Sequence, residues 1–303
     1  MNSVPVALFV YARPIHAQLT VSALLKNTGA ELIDLIVFSD AARTPDKHSA
    51  VNEVRAYLKS IIGFRSITIH HRSHNFGLAK SIIEGVTEVL KVYERVIVLE
   101  DDMETSPHFL TYMNKALSRY SDDDRVVSIH GYVYPVKRPL PEAFFLRGAD
   151  CWGWATWRRG WAHFNPDGQY LLDELRRRKL IGAFDFNGAY SFSKMLEGQI
   201  KGRNDSWAVR WHASAFLADK LTLHPGRSLV YNIGNDGSGT HCGDSDTHDV
   251  VLSTTPIDLS LVEVVHCIAG SQAFEQFYRQ SRINLIRRVL RRGRRFLLSI
   301  PRG

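Results

Sequence analysis

Long apolar runs are missing from this chain. No stretch of its 303 residues approaches the roughly 20 consecutive apolar residues that a spanning helix needs, so no segment reads as a bilayer span. Residues 1–9 lack a charged segment followed by an apolar core and a cleavage site, and no secretory signal is expected. Cysteine is scarce. Cys151, Cys242 and Cys267 lie far apart, show no metal-binding spacing, and would leave one thiol over from any disulfide. Reduced thiols in a cytoplasmic protein are the expectation. No internal repeat or low-complexity linker divides the chain, which favours one α/β unit over separable domains. Acid is absent from residues 279–303, which hold nine arginines. That segment carries +9 against a whole-chain net charge of +7, so the remainder is slightly acidic at −2. The basic character belongs to the C-terminus.

What is present is ample material for a core, with 45% hydrophobic and 11% aromatic residues. Strand and helix patterns alternate through the first half. Residues 4–11, 32–38, 66–70 and 96–99 read as strands, and 16–26, 45–62 and 78–93 have helical spacing. Ser106-Pro107 reads as the cap and first position of a helix running to 120. This alternation argues for parallel βαβ units. The second half is less regular, with a strand expected at 126–129 and helices near 169–179 and 207–219.

The strand Val96-Ile97-Val98-Leu99 ends in Glu100-Asp101-Asp102, and the strand before it in sequence order with a polar end closes on Ser39-Asp40. Ligands of open α/β sheets bind outside the carboxyl ends of the strands. In extended backbone Glu100 and Asp102 share one side and Asp101 faces the other. Adjacent carboxylates raise one another's pKa unless a cation compensates. Mg²⁺ or Mn²⁺ favours oxygen, and often takes one or two carboxylates together with substrate phosphates. The acids are therefore read as holding a metal that holds a diphosphate. The competing reading is a solvated turn that charges the start of the next helix. The second acidic cluster, Asp122-Asp123-Asp124, is read as a solvated turn.

Four further features carry chemistry. His70, His71, Arg72, His74 and Lys80 precede and open a helix whose N-terminus could attract phosphate, although the glycine spacing of a P-loop is absent around Gly77. Trp152, Trp154, Trp157 and Trp161 cluster around Gly153; one of Trp152 or Trp154 is expected beside a sugar and the others in the core. Asn204-Asp205-Ser206 suits a helix cap, and Asp205 also suits a general base. Gly234, Gly237 and Gly239 mark a loop that reads as a lid. At the C-terminus, Ile286, Val289, Leu290, Phe296, Leu297 and Ile300 fall near one face of a helix among arginines. That pattern suits an amphipathic helix on an anionic membrane. Packing on the protein and nucleic-acid contact share the pattern, and no nucleic-acid partner is expected.

The segments "VYARP", "VFSD", "HRSHNFGLAKSI", "VLEDDMETSPHF", "CWGWATW" and "NDSW" together resemble GT-A-fold glycosyltransferases that use nucleotide-sugar donors. The branch they look like contains N-acetylglucosaminyltransferase I and its bacterial, family-2-like relatives, and the resemblance covers residues 4–241. It implies a Rossmann-like, mixed but mostly parallel sheet flanked by helices, with a C-terminal amphipathic helix beyond it. It implies Mn²⁺ or Mg²⁺ on Asp102, ribose on Asp101, the transferred sugar on Glu100, and a nucleotide pocket lined by Arg13 and Asp40. Asp205 would be the base, His241 would close over the donor, and Trp152 or Trp154 would meet the acceptor. The family inverts the anomeric carbon. Where its base lies in an Asp-Asp-Trp run, this chain has Asp205-Ser206-Trp207.

The expected organisation is a catalytic domain at 1–260, with a nucleotide-sugar half at 1–130 and an acceptor half at 131–260, then a basic tail at 261–303. The expected activity moves a sugar, with N-acetylglucosamine as one possibility, from a UDP-sugar to a saccharide or lipid-linked saccharide in bacterial surface-polysaccharide or lipopolysaccharide assembly. No Golgi-type stem or anchor is read, so the expected location is cytoplasmic, peripheral on the inner face of the plasma membrane. Two alternatives use the same features. A metal-dependent nucleotidyltransferase would release pyrophosphate, and a non-catalytic binder would act through the arginine tail alone.

Overall fold

Alternation of buried side chains along short β-branched runs organises the molecule. The computed structural model describes residues 4–237 and 246–298, the side chains of 284–298 excepted. Its first half runs β1 (Val6–Val10), α1 (Pro14–Leu25), β2 (Asp34–Ser39), α2 (His48–Leu58), β3 (Ser66–His71), α3 (Leu78–Val92), β4 (Arg95–Glu100), β5 (Met103–Thr105) and α4 (Phe109–Arg119). The second half continues with β6 (Val126–His130), β7 (Ala143–Arg147), β8 (Trp154–Trp157), α5 (Arg158–Trp161), α6 (Gly168–Arg177), α7 (Ile181–Phe184), α8 (Phe192–Ile200), α9 (Trp207–Leu217), β9 (Leu221–Pro225), β10 (Val230–Asn232) and α10 (Ile268–Leu298).

Eight strands form one sheet in the order β3-β2-β1-β4-β8-β6-β9-β7, and β5 pairs with β10 apart from it. The first four strands are mutually parallel, β8 is antiparallel to β4 and β6, β6 and β9 are parallel, and β7 closes the edge antiparallel to β9. The sheet is thus mixed and mostly parallel, with helices on both faces, as the sequence predicts. Period two divides its core. Val6, Leu8, Val10, Leu35, Val37, Ile97 and Leu99 pack on one face with Val21, Leu24, Val54, Leu58, Phe109 and Met113 from α1, α2 and α4. Ala7, Phe9, Ile36, Phe38, Val96 and Val98 pack on the other with Ile82, Val86, Trp207 and Trp211 from α3 and α9.

The predicted helix from Ser106-Pro107 is shorter: α4 starts at Phe109. Ser106 lies ahead of the cap position, which is His108; its hydroxyl accepts from His108 N–H at 3.2 Å and donates to the Ser253 carbonyl at 2.6 Å, tying a distant segment to the end of β5. Strands β7 to β10 and helix α8 carry no strong period of their own and escaped the sequence reading. The segment that follows residue 260 contacts the preceding fold. Cys267 N–H donates to Phe145 O at 2.7 Å, and Phe274 and Tyr278 of α10 are buried against Val133, Phe144 and Leu146. The first turns of α10 are therefore part of the fold. The arginine-rich apolar face from 286 lies where no side chain is described, and Ile300 falls outside the described residues. No helix among the described residues is long and apolar enough to cross a membrane.

Because Phe274 is 2% exposed within this cluster, Phe274→Ala is expected to lower stability by about 3 kcal/mol or more. Thermal unfolding of the full chain reads this directly, and an unchanged melting temperature would return the start of α10 to the status of a tail.

Candidate functional site

The carboxyl ends of β1, β2 and β4 meet at one edge of the parallel half-sheet, and each carries a charged side chain. Past β1, Arg13 sits at the start of α1, whose first residue is Pro14. Its guanidinium Nη2 donates to Asp101 Oδ1 and, at 2.8 Å, to Asp102 Oδ2. Tyr11 N–H donates to the other Asp101 oxygen at 3.1 Å, and the Thr20 hydroxyl to the Asp101 carbonyl at 2.8 Å. The segment 100–102 is thus locked to the end of β1 and to α1. Both aspartates are buried, at 3% and 6% exposure. Burial alone would lower the Arg13 pKa, but the two carboxylates outweigh it and hold the guanidinium charged. For Asp101, burial and the Asp102 charge raise the pKa, opposed by Arg13 and the Tyr11 amide. Half-buried Glu100 is pushed up to about 8, first by desolvation and then by the charges of Asp102 and Asp101, with Arg13 opposing.

One atom stands apart. Asp102 Oδ1 is buried and has no hydrogen-bond partner. An unpaired buried carboxylate oxygen is costly unless something else satisfies it. The loop behind it explains why the site stays narrow. Asp102 O accepts from Ile233 N–H at 2.9 Å, and a side chain at Gly234 would place its Cβ 2.2 Å from Asp102 Oδ2 and 2.9 Å from Arg13 Nη1. Pairing of β5 with β10 brings this glycine loop to the acids. The first part of the expected lid is therefore at the site. His241 lies outside the described residues.

Asp40, at the end of β2, anchors a loop. Its Oδ1 accepts from the amides of Ala41 and Phe76, both at 2.9 Å, and its Oδ2 from Gly77 N–H at 2.9 Å and Asn75 Nδ2 at 3.0 Å. Four donors engage this carboxylate, which fastens the 72–77 loop to the end of β2, just ahead of α3. Arg72 pairs with Glu88, and Lys80 with Glu84.

The acceptor-side residues divide. Trp152 is half-buried, edge-on to Tyr132 at 4.7 Å and to His248 at 5.5 Å. Trp154 is wholly buried and stacks on Trp207 at 5.5 Å, so the expectation of an acceptor contact does not hold for it. Asp205 makes no hydrogen bond or ion pair to the acid segment. Its side chain is 69% exposed and pairs with Arg210 at 3.3 Å, one residue ahead of Ser206, which caps α9 by accepting from Val209 N–H. Asp123 and Arg125 pair on an exposed turn, in line with the solvated reading of that cluster. Sequence reasoning missed Thr20, whose hydroxyl holds the acid segment through the Asp101 carbonyl.

No family model matches this chain, and no curated protein matches it. Solved structures with a related chain course include the mannosyltransferase PcManGT from Pyrobaculum calidifontis in complex with GDP-Man and Mn²⁺. It is 16% identical with a TM-score of 0.30, over 45% of this chain and 36% of that one. S. aureus TarS 1–349 is 12% identical with a TM-score of 0.32, over 51% of this chain and 47% of that one. The same TarS fragment in complex with UDP-GlcNAc gives 13% and 0.29, over 46% of this chain and 37% of that one. This chain thus spans about a third to a half of the length of the solved structures it matches.

Asp40→Asn places an amide NH₂ against donors that now meet a carboxylate, and is expected to cost about 2 kcal/mol of stability. Calorimetric unfolding checks it. A neutral result would mean that the 72–77 loop is not held by this carboxylate.

Proposed function

We propose that the chain is a metal-dependent, inverting glycosyltransferase of the GT-A type, acting on a UDP-sugar. The observation that carries the reading is the unpartnered, buried Asp102 oxygen beside a fixed guanidinium, at the mouth of parallel strands. A hard divalent ion fits an all-oxygen site of this kind. Among the described residues no three His, Cys, Asp or Glu side chains are grouped to hold a metal by themselves. Asp102 would then supply one ligand, and the donor's phosphates and water the rest, the usual habit of Mg²⁺ and its analogues with phosphate substrates. When bound, the ion supplies charge neutralisation of the departing diphosphate.

The chain's own groups do the remainder. Arg13 holds Asp101 and Asp102 in place and keeps one positive charge at the diphosphate end. Glu100, at the end of β4, faces the transferred sugar. Asp101 meets the ribose, and the Asp40-anchored loop with Arg13 borders the base. The narrow wall at Gly234 lets backbone approach the phosphates, and residues beyond it, His241 among them, close over the donor. Trp152 offers an aromatic face to a saccharide acceptor. A lipid-linked acceptor, a role in bacterial surface-polysaccharide or lipopolysaccharide assembly, and contact of the arginine-rich end of α10 with an anionic membrane complete the reading.

Calorimetric titration of UDP into the full chain is the test. The expectation is binding that requires Mn²⁺ and weakens at least tenfold in Asp102→Ala. Equal affinity in both proteins would remove Asp102 from the metal site. Pyrophosphate release from a nucleoside triphosphate would favour nucleotidyl transfer instead.

A further inference from the structure

The start of α1 reaches the acid site with two side chains. Arg13 occupies its cap position, and Ala17 N–H donates to Arg13 O at 3.0 Å, so the first turn closes on Arg13. Arg13 bridges Asp101 and Asp102. His16, in that first turn, reaches past them: its Nε2 lies 3.1 Å from Asp236 Oδ2, in the glycine loop that follows β10. We propose that His16 is a positioning residue, which through Asp236 holds residues 233–236 against the acid segment as the wall of the diphosphate site. This inference rests on the glycosyl-transfer reading above.

Backbone contacts place the loop where it leaves β10. Asn232 pairs with Met103 across the two short strands, and Ile233 N–H donates to Asp102 O at 2.9 Å. Gly234 N–H then donates to Asn232 Oδ1 at 2.8 Å. At this point the wall is closest to the acids, since a Cβ on Gly234 would stand 2.2 Å from Asp102 Oδ2 and 2.9 Å from Arg13 Nη1. Two residues further on, the His16 contact ties the loop back to α1. The helix start that holds the acids through Arg13 thus also holds the wall beside them.

The His16 side chain is 14% exposed and that of Asp236 47%. A pair with one partner half in water adds little to global stability, because solvent screens it and ordering the side chains offsets the gain. It acts on a smaller equilibrium. Local opening of a short loop takes far less free energy than unfolding, so one contact changes how often the loop stands away. Opening here also strips a hydrogen bond from the carbonyl of Asp102, the residue with the unpartnered oxygen. With the wall displaced, water enters beside the diphosphate and the bound nucleotide leaves faster.

Two measurements on the full chain test this, with wild type, His16→Ala, His16→Gln, Asp236→Ala and the double alanine variant. The first is hydrogen exchange at the Ile233 and Gly234 amides without nucleotide. Exchange there is expected to be about fivefold or more faster in each alanine variant, with β1 amides and melting temperature unchanged. His16→Gln, whose amide NH₂ donates to the same carboxylate, should stay near wild type. The second is UDP affinity with Mn²⁺ by calorimetry, expected to fall about 3- to 10-fold in either single alanine variant and no further in the double. Wild-type exchange in the alanine variants, tighter UDP binding, or losses that multiply in the double variant would overturn the assignment and leave the donor site standing. A folded wild type that binds no UDP overturns the glycosyl-transfer reading and this assignment with it.

Discussion

One guanidinium against two buried carboxylates is the constraint around which the rest of the site is arranged. Three acids in sequence at the end of a buried strand repel one another, and burial makes that repulsion stronger. Arg13 offsets part of it by bridging Asp101 and Asp102 from the end of the neighbouring parallel strand. Removing one partner of such a buried pair leaves an uncompensated charge, a change that typically costs 3–5 kcal/mol. The bridge also has a geometric effect. It welds the ends of β1 and β4 together and turns Asp102 so that one oxygen faces the guanidinium while the other has no partner.

That asymmetry divides the labour of the strand ends. Asp40 is saturated by four donors and builds a loop. Asp101 is engaged on both oxygens and builds the floor. Asp102 alone keeps a free oxygen in a buried setting. The antiparallel pairing beside β4 then matters for the opposite side. Because β8 runs antiparallel, the segment leading into it, from the other half of the chain, arrives at the same edge as the segment leaving β4.

Much of this was legible in the sequence. The βαβ order, the parallel strands and the placing of Arg13, Asp40, Glu100, Asp101 and Asp102 at strand ends follow from period and from apolar runs that stop at charged residues. What the sequence hid has physical reasons. Strands β7 and β8 are rich in buried aromatics, which fill helices and strands alike, so period gave no signal. Trp152 and Trp154 share a face of β-type alternation, yet one lies inside the strand under Trp207 and the other beyond its end, a difference set by where pairing stops. Asp205 suits both a cap and a base; Ser206 takes the cap, and the Asp205 carboxylate lies on the surface beside Arg210. The start of α10 reads as the approach to an arginine-rich tail, but Phe274 and Tyr278 have a partner surface on β7 that no local pattern announces.

On the proposed function, Asp102 would offer a metal only one protein ligand, so the ion and the nucleotide diphosphate would depend on each other. Electron paramagnetic resonance of free Mn²⁺ tests it most directly, by titrating the ion into the full chain with and without saturating UDP. Weak uptake by the protein alone and near-stoichiometric uptake once UDP is present are expected. Tight Mn²⁺ uptake without nucleotide, or UDP binding that draws no Mn²⁺ from solution, would contradict it.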